Sequence, residues 1–372
     1  MSRNENNGSI NQWNRRRFLG VAASSGLAAC AAPVGMALNA AESSPSPGSQ
    51  RLSLEQLRKW ESLQYGMFIC FGMSTFVQKE IPDGKTPAAV YAPDRLDVDQ
   101  WVSVARDAGM KYIVLTTKHV AGHCLWPSKH TDYTVANGKD KTNVVEQFCK
   151  ACEKRGVLPG LYYNSYDNHN RFGSKTPSDG GAWDGMNGFP KTQGTPAELP
   201  PFTTSLYQSF QTAQVRELLT QFGPIAETWI DIPGLLGRSY RTFLYNHIAQ
   251  LQPGTVIMMN NGTDANYNVA YAWPSDLISL ERGVPPAMGH ERWREIEGKK
   301  YYMPGEANDP IGKDWFWVEG DKPRSDKALA KQFQACRAGQ VNLVLSAPPD
   351  RHGLIPEATI AALMRLKKHA NI

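Results

Sequence analysis

From about Leu52 onward the chain repeats one unit: a short apolar stretch of strand length, a loop rich in polar and aromatic residues, and an amphipathic helix. Successive βα units build a parallel sheet, because each helix carries the chain back across the sheet face before the next strand begins. Eight stretches carry the strand pattern: Tyr65 to Phe71, Tyr112 to Thr117, Leu158 to Tyr163, Ala226 to Asp231, Val256 to Asn260, Leu277 to Glu281, Lys300 to Met303 and Val341 to Ser346. The intervening helices have matching punctuation. Asp97 is placed to cap a segment with Gln100 three residues on, and Gly109 ends it; Asn143 with Glu146, ending at Gly156, repeats the scheme. A third helix, Leu206 to Phe222, stops at Gly223-Pro224, and the last is expected over Glu357 to His369. Eight repeats predict an α/β chain with one (β/α)8 TIM-type barrel over residues 52–372, whose chemistry belongs in the loops at the C-terminal ends of its strands. The stretch from Asn164 to Thr204 is too long for a connector and is expected to border the active site. No β-sandwich is expected after the last helix.

The segment before the barrel is an address. Asn14-Arg15-Arg16-Arg17-Phe18-Leu19-Gly20 has the form of a twin-arginine export signal, and the apolar run Val21 to Ala29 behind it is too short to span a membrane. Residues 1–40 are therefore read as a signal and 41–51, rich in Ser and Pro, as a flexible linker. Leu27-Ala28-Ala29-Cys30 resembles a lipobox, so two readings stay open: lipid attachment at Cys30, or cleavage near Ala40. The expected location is the periplasm, free or membrane-anchored through that lipid. The net charge of +5 owes three units to this segment, and no dense Lys/Arg run follows, so no nucleic-acid partner is expected. Five cysteines remain beyond Cys30, an odd number that argues against a disulfide framework. Cys149 and Cys152 form a CxxC within a helical pattern with no second pair, so they read as buried or idle thiols.

Polar residues at strand ends are the candidates for chemistry. Trp229-Ile230-Asp231 closes the fourth strand, so the Asp231 carboxylate can project into the barrel mouth, where it can attack an anomeric carbon, bind a cation or serve as a structural cap. Glu281 ends the sixth strand and Glu306 follows the seventh candidate, and either can face Asp231 as an acid/base. His119 and His123 have an i, i+4 spacing that suits zinc on a helix, but Gly122 and the preceding strand favour a loop and a sugar-hydroxyl contact for His119. Trp126, Trp315, Phe316 and Trp317 can wall a sugar ring, and Tyr162, Tyr163, Asp167 and His169 open the long loop as further candidate contacts.

From Leu54 to the C-terminus these residues resemble glycoside hydrolase family 29, the retaining α-L-fucosidases. The segment Lys111 to His119 followed by Cys124 to Tyr133 is similar to that family's second-strand motif. Gly160 to Tyr163, Gln214 to Leu218 with Trp229 to Asp231, and Asn342 to Ser346 with Pro348 to Asp350 are similar to its later elements. The resemblance implies a (β/α) barrel, no metal or organic cofactor, Asp231 as nucleophile, His119 as a sugar contact and an oligo- or polysaccharide substrate. Three positions depart from the pattern. Cys70-Phe71-Gly72 stands where the family has His-Trp-Gly, Val120 and Ala121 where a His and an acid are expected, and Asn261 where an Arg is expected. A kept nucleophile with lost hydroxyl-reading groups points to a shifted sugar preference. A non-catalytic carbohydrate-binding barrel is the alternative, and a metal hydrolase built on His119, His123 and Asp231 the third reading.

Overall fold

The computed structural model describes residues 46–47, 50–174, 203–260 and 272–371. The segment expected to direct export, Cys30, most of the long loop and Asn261 lie outside them. Eight parallel strands form one sheet: β2 (Tyr65–Ile69), β3 (Tyr112–Lys118), β4 (Leu158–Asn164), β5 (Glu227–Asp231), β6 (Val256–Met259), β7 (Ile278–Glu281), β10 (Gly305–Pro310) and β11 (Asn342–Ser346). Their order is β6-β5-β4-β3-β2-β11-β10-β7, so the sheet is nearly closed into a barrel, with one join, β6 to β7, lacking a backbone ladder. The helices are α1 (Leu54–Glu61), α2 (Met73–Val77), α3 (Val98–Asp107), α4 (Val144–Arg155), α5 (Ser205–Gln221), α6 (Arg238–Leu251), α7 (Asp326–Ala338) and α8 (Glu357–Ala370). The caps follow the local chemistry: Asp97 and Asn143 accept from the backbone N–H of Gln100 and Glu146, and Gly156 ends α4 in the left-handed region at φ 67°.

Side chains alternate across the barrel wall, as the two-residue period of a strand requires. Met67, Ile69, Ile113, Leu115, Leu161, Tyr163, Ile230, Ile257, Leu343 and Leu345 pack outward in the layer beneath the helices. Phe68, Cys70, Tyr112, Val114, Tyr162, Trp229, Met258 and Val344 fill the interior. Leu57 and Trp60 of α1 join this inner cluster and plug the end where the strands begin. Asn342 ties that plug to the wall, donating to the Trp60 carbonyl at 3.1 Å and accepting from the Gln64 N–H at 3.0 Å.

One expected barrel strand is misplaced. Lys299–Tyr302 (β9) forms a hairpin with Trp293–Ile296 (β8) outside the barrel, turned by Glu297 and Gly298 at φ 53° and 73°, the left-handed pair that suits a two-residue hairpin. The seventh barrel strand is instead β10, Gly-Glu-Ala-Asn-Asp-Pro, which looks like a loop because its inward residues are polar. Those residues are satisfied inside the barrel: Asn308 donates to Ser279 Oγ at 3.0 Å, and Ala307 supplies the apolar outer face. The described residues of the segment before the barrel meet the same hairpin. Ser46–Pro47 (β1) pairs with β9, and Gln50 bonds both backbone groups of Tyr302.

Side chains take over where the ladder is missing. Below the mouth, Asp276 accepts from the Ile257 N–H at 2.8 Å, from Tyr245 Oη at 2.5 Å and from the Arg51 guanidinium at 2.5 Å, while Ser275 Oγ accepts from the Met259 N–H at 3.1 Å. Asp276→Ala strands the Ile257 N–H and the Tyr245 hydroxyl in a mostly dry site and removes the charged partner of Arg51, whose guanidinium keeps only the Pro253 and Thr255 carbonyls. The substitution costs about 2–4 kcal/mol. Urea unfolding of the variant is expected to show that loss, and a change under about 0.5 kcal/mol would mean that the join is held by other contacts.

Candidate active site

Asp231 is the last residue of β5 and is paired in register with Asn164, the last residue of β4. Both therefore stand at the rim with their side chains inward. Three side chains hold the Asp231 carboxylate: Tyr162 Oη donates to Oδ2 at 2.5 Å, Asn164 Nδ2 to Oδ2 at 3.1 Å and Asn260 Nδ2 to Oδ1 at 2.8 Å. Burial pushes its pKa up, and the hydrogen bonds from Tyr162, Asn260 and the Ile232 N–H pull the other way.

Glu281 ends β7 and receives Asn260 Nδ2 at 3.0 Å. One amide nitrogen thus touches both acids, and the two accepting oxygens cannot be farther apart than the sum of those contacts, about 6 Å. That bound suits the separation of roughly 5 to 5.5 Å used in retaining glycoside hydrolysis. Desolvation first, then the Asp231 charge, raise Glu281 to about 7, while Asn260 and Arg282 oppose the shift. The two environments differ: at Asp231 several donors oppose the upward push of burial, whereas Glu281, raised to about 7, is the one that can hold a proton at neutral pH.

Glu306 has a different place. It is paired with Ser279, whereas Asn308 is paired with Glu281, so Glu306 sits two residues, roughly 7 Å, deeper in the barrel. It is fully buried, and its carboxyl accepts from Tyr112 Oη at 2.8 Å and Trp229 Nε1 at 2.9 Å. Its neighbour is Glu227, also fully buried, whose carboxyl oxygens meet no N–H donor and face Glu306 and Tyr112. Desolvation raises both acids; the Glu306 charge raises Glu227 further, while hydrogen bonds from Trp229 and Tyr112 hold Glu306 back, so this pair keeps a proton in the barrel floor. Misplacing the seventh strand made Glu306 look like a mouth residue.

The aromatic candidates divide. Trp315 reaches the inner cluster, edge-on to Phe68 at 6.2 Å and under the Arg282 guanidinium at 5.2 Å. His119 lies against Phe316 at 4.8 Å and stacks on Tyr162 at 5.9 Å. Its buried Nδ1 has no partner among the described residues, and burial, opposed by a hydrogen bond with the Glu80 backbone, drives its pKa down to about 3, so it is a neutral imidazole. Trp126 and Tyr163 are not brought to the mouth. Trp126 is fully buried with its indole N–H on Glu217 at 2.9 Å, and Tyr163 points outward to Lys118 at 2.8 Å and Gln214 at 2.8 Å. Of the two adjacent candidates Tyr162 is the inward residue, because the strand period turns neighbouring side chains to opposite faces. Trp317 lies beside Arg351, with its ring 6.0 Å from that guanidinium, in no recorded contact with the carboxylate pair. Asp167 and His169 are likewise structural: Asp167 pairs with the buried Lys118 at 2.7 Å, and His169 bonds the Gly84 carbonyl at 2.7 Å.

The His119–His123 pair does not converge either, since His123 is buried between Tyr91 and Tyr133. Among the described residues no three His, Cys, Asp or Glu side chains form a group able to hold a metal ion. Cys149 and Cys152 are buried free thiols. Two residues of the mouth were missed by sequence reasoning. Asn260 ends a strand candidate but carries no motif, and Glu80, half-buried in the loop after α2, is recognised only because its charge faces Asp231 and Glu281. At the departures from the family pattern, the buried Cys70 thiol is pushed up to about 12 and stays protonated, and Val120 packs with Tyr166, Ile232 and Leu235.

A nearly closed barrel with two carboxylates at its mouth, bridged by one amide and floored by aromatic rings, has the construction of a glycoside hydrolase. The family model for alpha-L-fucosidase matches residues 83–372. The chain belongs to that family, glycoside hydrolase family 29. It is 29% identical over 342 residues to alpha-L-fucosidase 1 of Arabidopsis thaliana, covering 88% of this chain and 60% of that protein. Against a putative alpha-L-fucosidase 1 of Oryza sativa subsp. japonica it is 27% identical over 313 residues, covering 80% and 54%. The chain thus spans little more than half the length of these two relatives. A putative alpha-L-fucosidase structure from Bacteroides thetaiotaomicron superposes with a TM-score of 0.67 at 25% identity, over 87% of this chain and 68% of that one.

The acid pair in the floor has a measurable signature. A carboxyl whose pKa is raised on folding binds its proton more tightly in the native state, so its contribution is full below the ordinary Glu value and is lost as pH rises through the native one. Stability of the native protein is expected to fall between about pH 5 and pH 8, and Glu227→Gln to flatten that fall and gain about 1–3 kcal/mol at the upper end. Parallel pH profiles for the two proteins in urea melts would show that the pair is not the cause.

Proposed function

We propose that this chain is a retaining exo-glycosidase that releases a terminal α-L-fucose or a closely related sugar from an oligo- or polysaccharide. The observation that carries the reading is the Asp231–Glu281 pair, two acids within about 6 Å of each other at the mouth of a family 29 barrel. In the first step an Asp231 carboxylate oxygen forms a bond to the anomeric carbon as the glycosidic bond breaks, and the Glu281 proton passes to the departing oxygen. In the second, the Glu281 carboxylate takes a proton from water, the water oxygen bonds to the anomeric carbon, and the Asp231 carboxylate leaves. Inversion occurs twice, so the configuration is retained. Phe68, Tyr162 and Trp229 form the apolar floor, with Trp315 at its edge and the neutral His119 available to one sugar hydroxyl.

Export rests on the residues around Arg15 to Arg17, and anchoring on Cys30. Fractionation of expressing cells, with Cys30→Ala releasing the protein from the membrane fraction, tests both.

The chemistry is tested with aryl α-L-fucoside, aryl α-L-galactoside and other aryl glycosides. Asp231→Asn is expected to lower kcat by about four orders of magnitude or more on the active substrate, and a fluorinated fucosyl reagent to label Asp231. Unchanged hydrolysis by that variant ends the mechanism, and binding without turnover across the whole panel favours a carbohydrate-binding role. Glu281→Gln is expected to abolish the basic limb near pH 7 and to spare substrates with good leaving groups. An intact limb in that variant moves the acid/base role to another residue.

A further inference from the structure

Asp231 and Glu281 stand on opposite sides of the one join in the sheet that has no backbone ladder. Asp231 belongs to β5, which is laddered to β6, whereas Glu281 belongs to β7, laddered only to β10. Across the rest of the barrel, register fixes neighbouring side chains through paired peptide groups. Across this join there is one backbone bond, from the Asp276 N–H to the Ile257 carbonyl at 2.8 Å, and the other contacts come from side chains, with Asp276 and Ser275 deeper in the wall and Asn260 at the mouth.

We propose that Asn260 is the positioning residue of the carboxylate pair: its amide donates one hydrogen to each acid across the open join and so sets the distance at which they work. The inference rests on the assignment of Asp231 and Glu281 given above. Chemistry fixes the orientation of the amide, because the reversed rotamer would direct an oxygen at two carboxylate oxygens and lose both contacts at 2.8 and 3.0 Å. The other groups that face Asp231 are Tyr162, Asn164, the Ile232 N–H, the Cys70 thiol and Glu80. Those facing Glu281 are Asp231, Glu80 and Arg282. Among the described residues Asn260 alone has hydrogen bonds to both acids.

Two consequences follow from one contact. Donation to a carboxylate favours its charged form, so Asn260 holds both pKa values below where burial alone would put them. It also restrains the reacting oxygens to a separation of at most about 6 Å, and misplacement by about 1 Å can cost a hundredfold in rate. A residue that only supported the fold would affect the rate without moving either pKa.

The test uses the full chain and an aryl α-L-fucoside. Asn260→Ala removes both donated hydrogens. Asn260→Asp keeps the size of the side chain, and so the packing, while adding a third carboxyl between the two acids. Both variants are expected to lose about 10- to 100-fold in kcat/KM and to shift both limbs of its pH profile to higher pH. Labelling by the fluorinated reagent is expected to slow and still to fall on Asp231. Limbs that stay at their native positions in both variants overturn the proposal, whatever the loss in rate. A label on a residue other than Asp231 in the native protein overturns the underlying assignment instead, so the two failures are distinguishable.

Discussion

The barrel wall admits every second side chain of each strand to its interior, and everything in this molecule that can do chemistry has to pass that filter. Tyr162 enters and supports Asp231, whereas Tyr163 is turned outward to Lys118 and Gln214. Because the interior is dry, most polar side chains admitted bring a partner with them, Glu227 being an exception. Asn308 enters with Ser279, Glu306 with Tyr112 and Trp229, and Asp231 with Tyr162, Asn164 and Asn260.

Depth then sorts the carboxylates into different chemical states. In the floor, Glu227 and Glu306 are enclosed together and retain a proton, a structural arrangement that consumes stability as the pH rises. At the rim, Asp231 and Glu281 meet the open mouth, and burial raises both; the hydrogen bonds from Tyr162, Asn260 and the Ile232 N–H oppose the rise at Asp231, whereas at Glu281 the neighbouring charge of Asp231 adds to it. The same residue type thus serves two purposes on one axis.

Where the chain departs from the family pattern, the described side chains are apolar or uncharged. Cys70 is a thiol kept protonated by burial in the barrel interior, and Val120 is an aliphatic side chain packed against Ile232 and Leu235. The hydrogen bonds that join Asp231, Asn260 and Glu281 involve neither of them.

Much of this was legible in the sequence alone, because local rules govern it. Strand and helix periodicity placed seven of the eight barrel strands near their observed positions, caps at Asp97 and Asn143 marked helix starts, and the Trp229-Ile230-Asp231 strand end directed a carboxylate to the rim. The family resemblance named Asp231 and His119. Local pattern failed where burial is tertiary: β10 is polar in sequence because its partners, Ser279, Tyr112 and Trp229, come from three other strands. It also failed for the choice between Glu281 and Glu306, which depends on strand register rather than on spacing along the chain. The contact that joins the two acids, through Asn260, crosses the single join without a ladder, and only the folding of the sheet into a near-closed barrel brings its ends within reach.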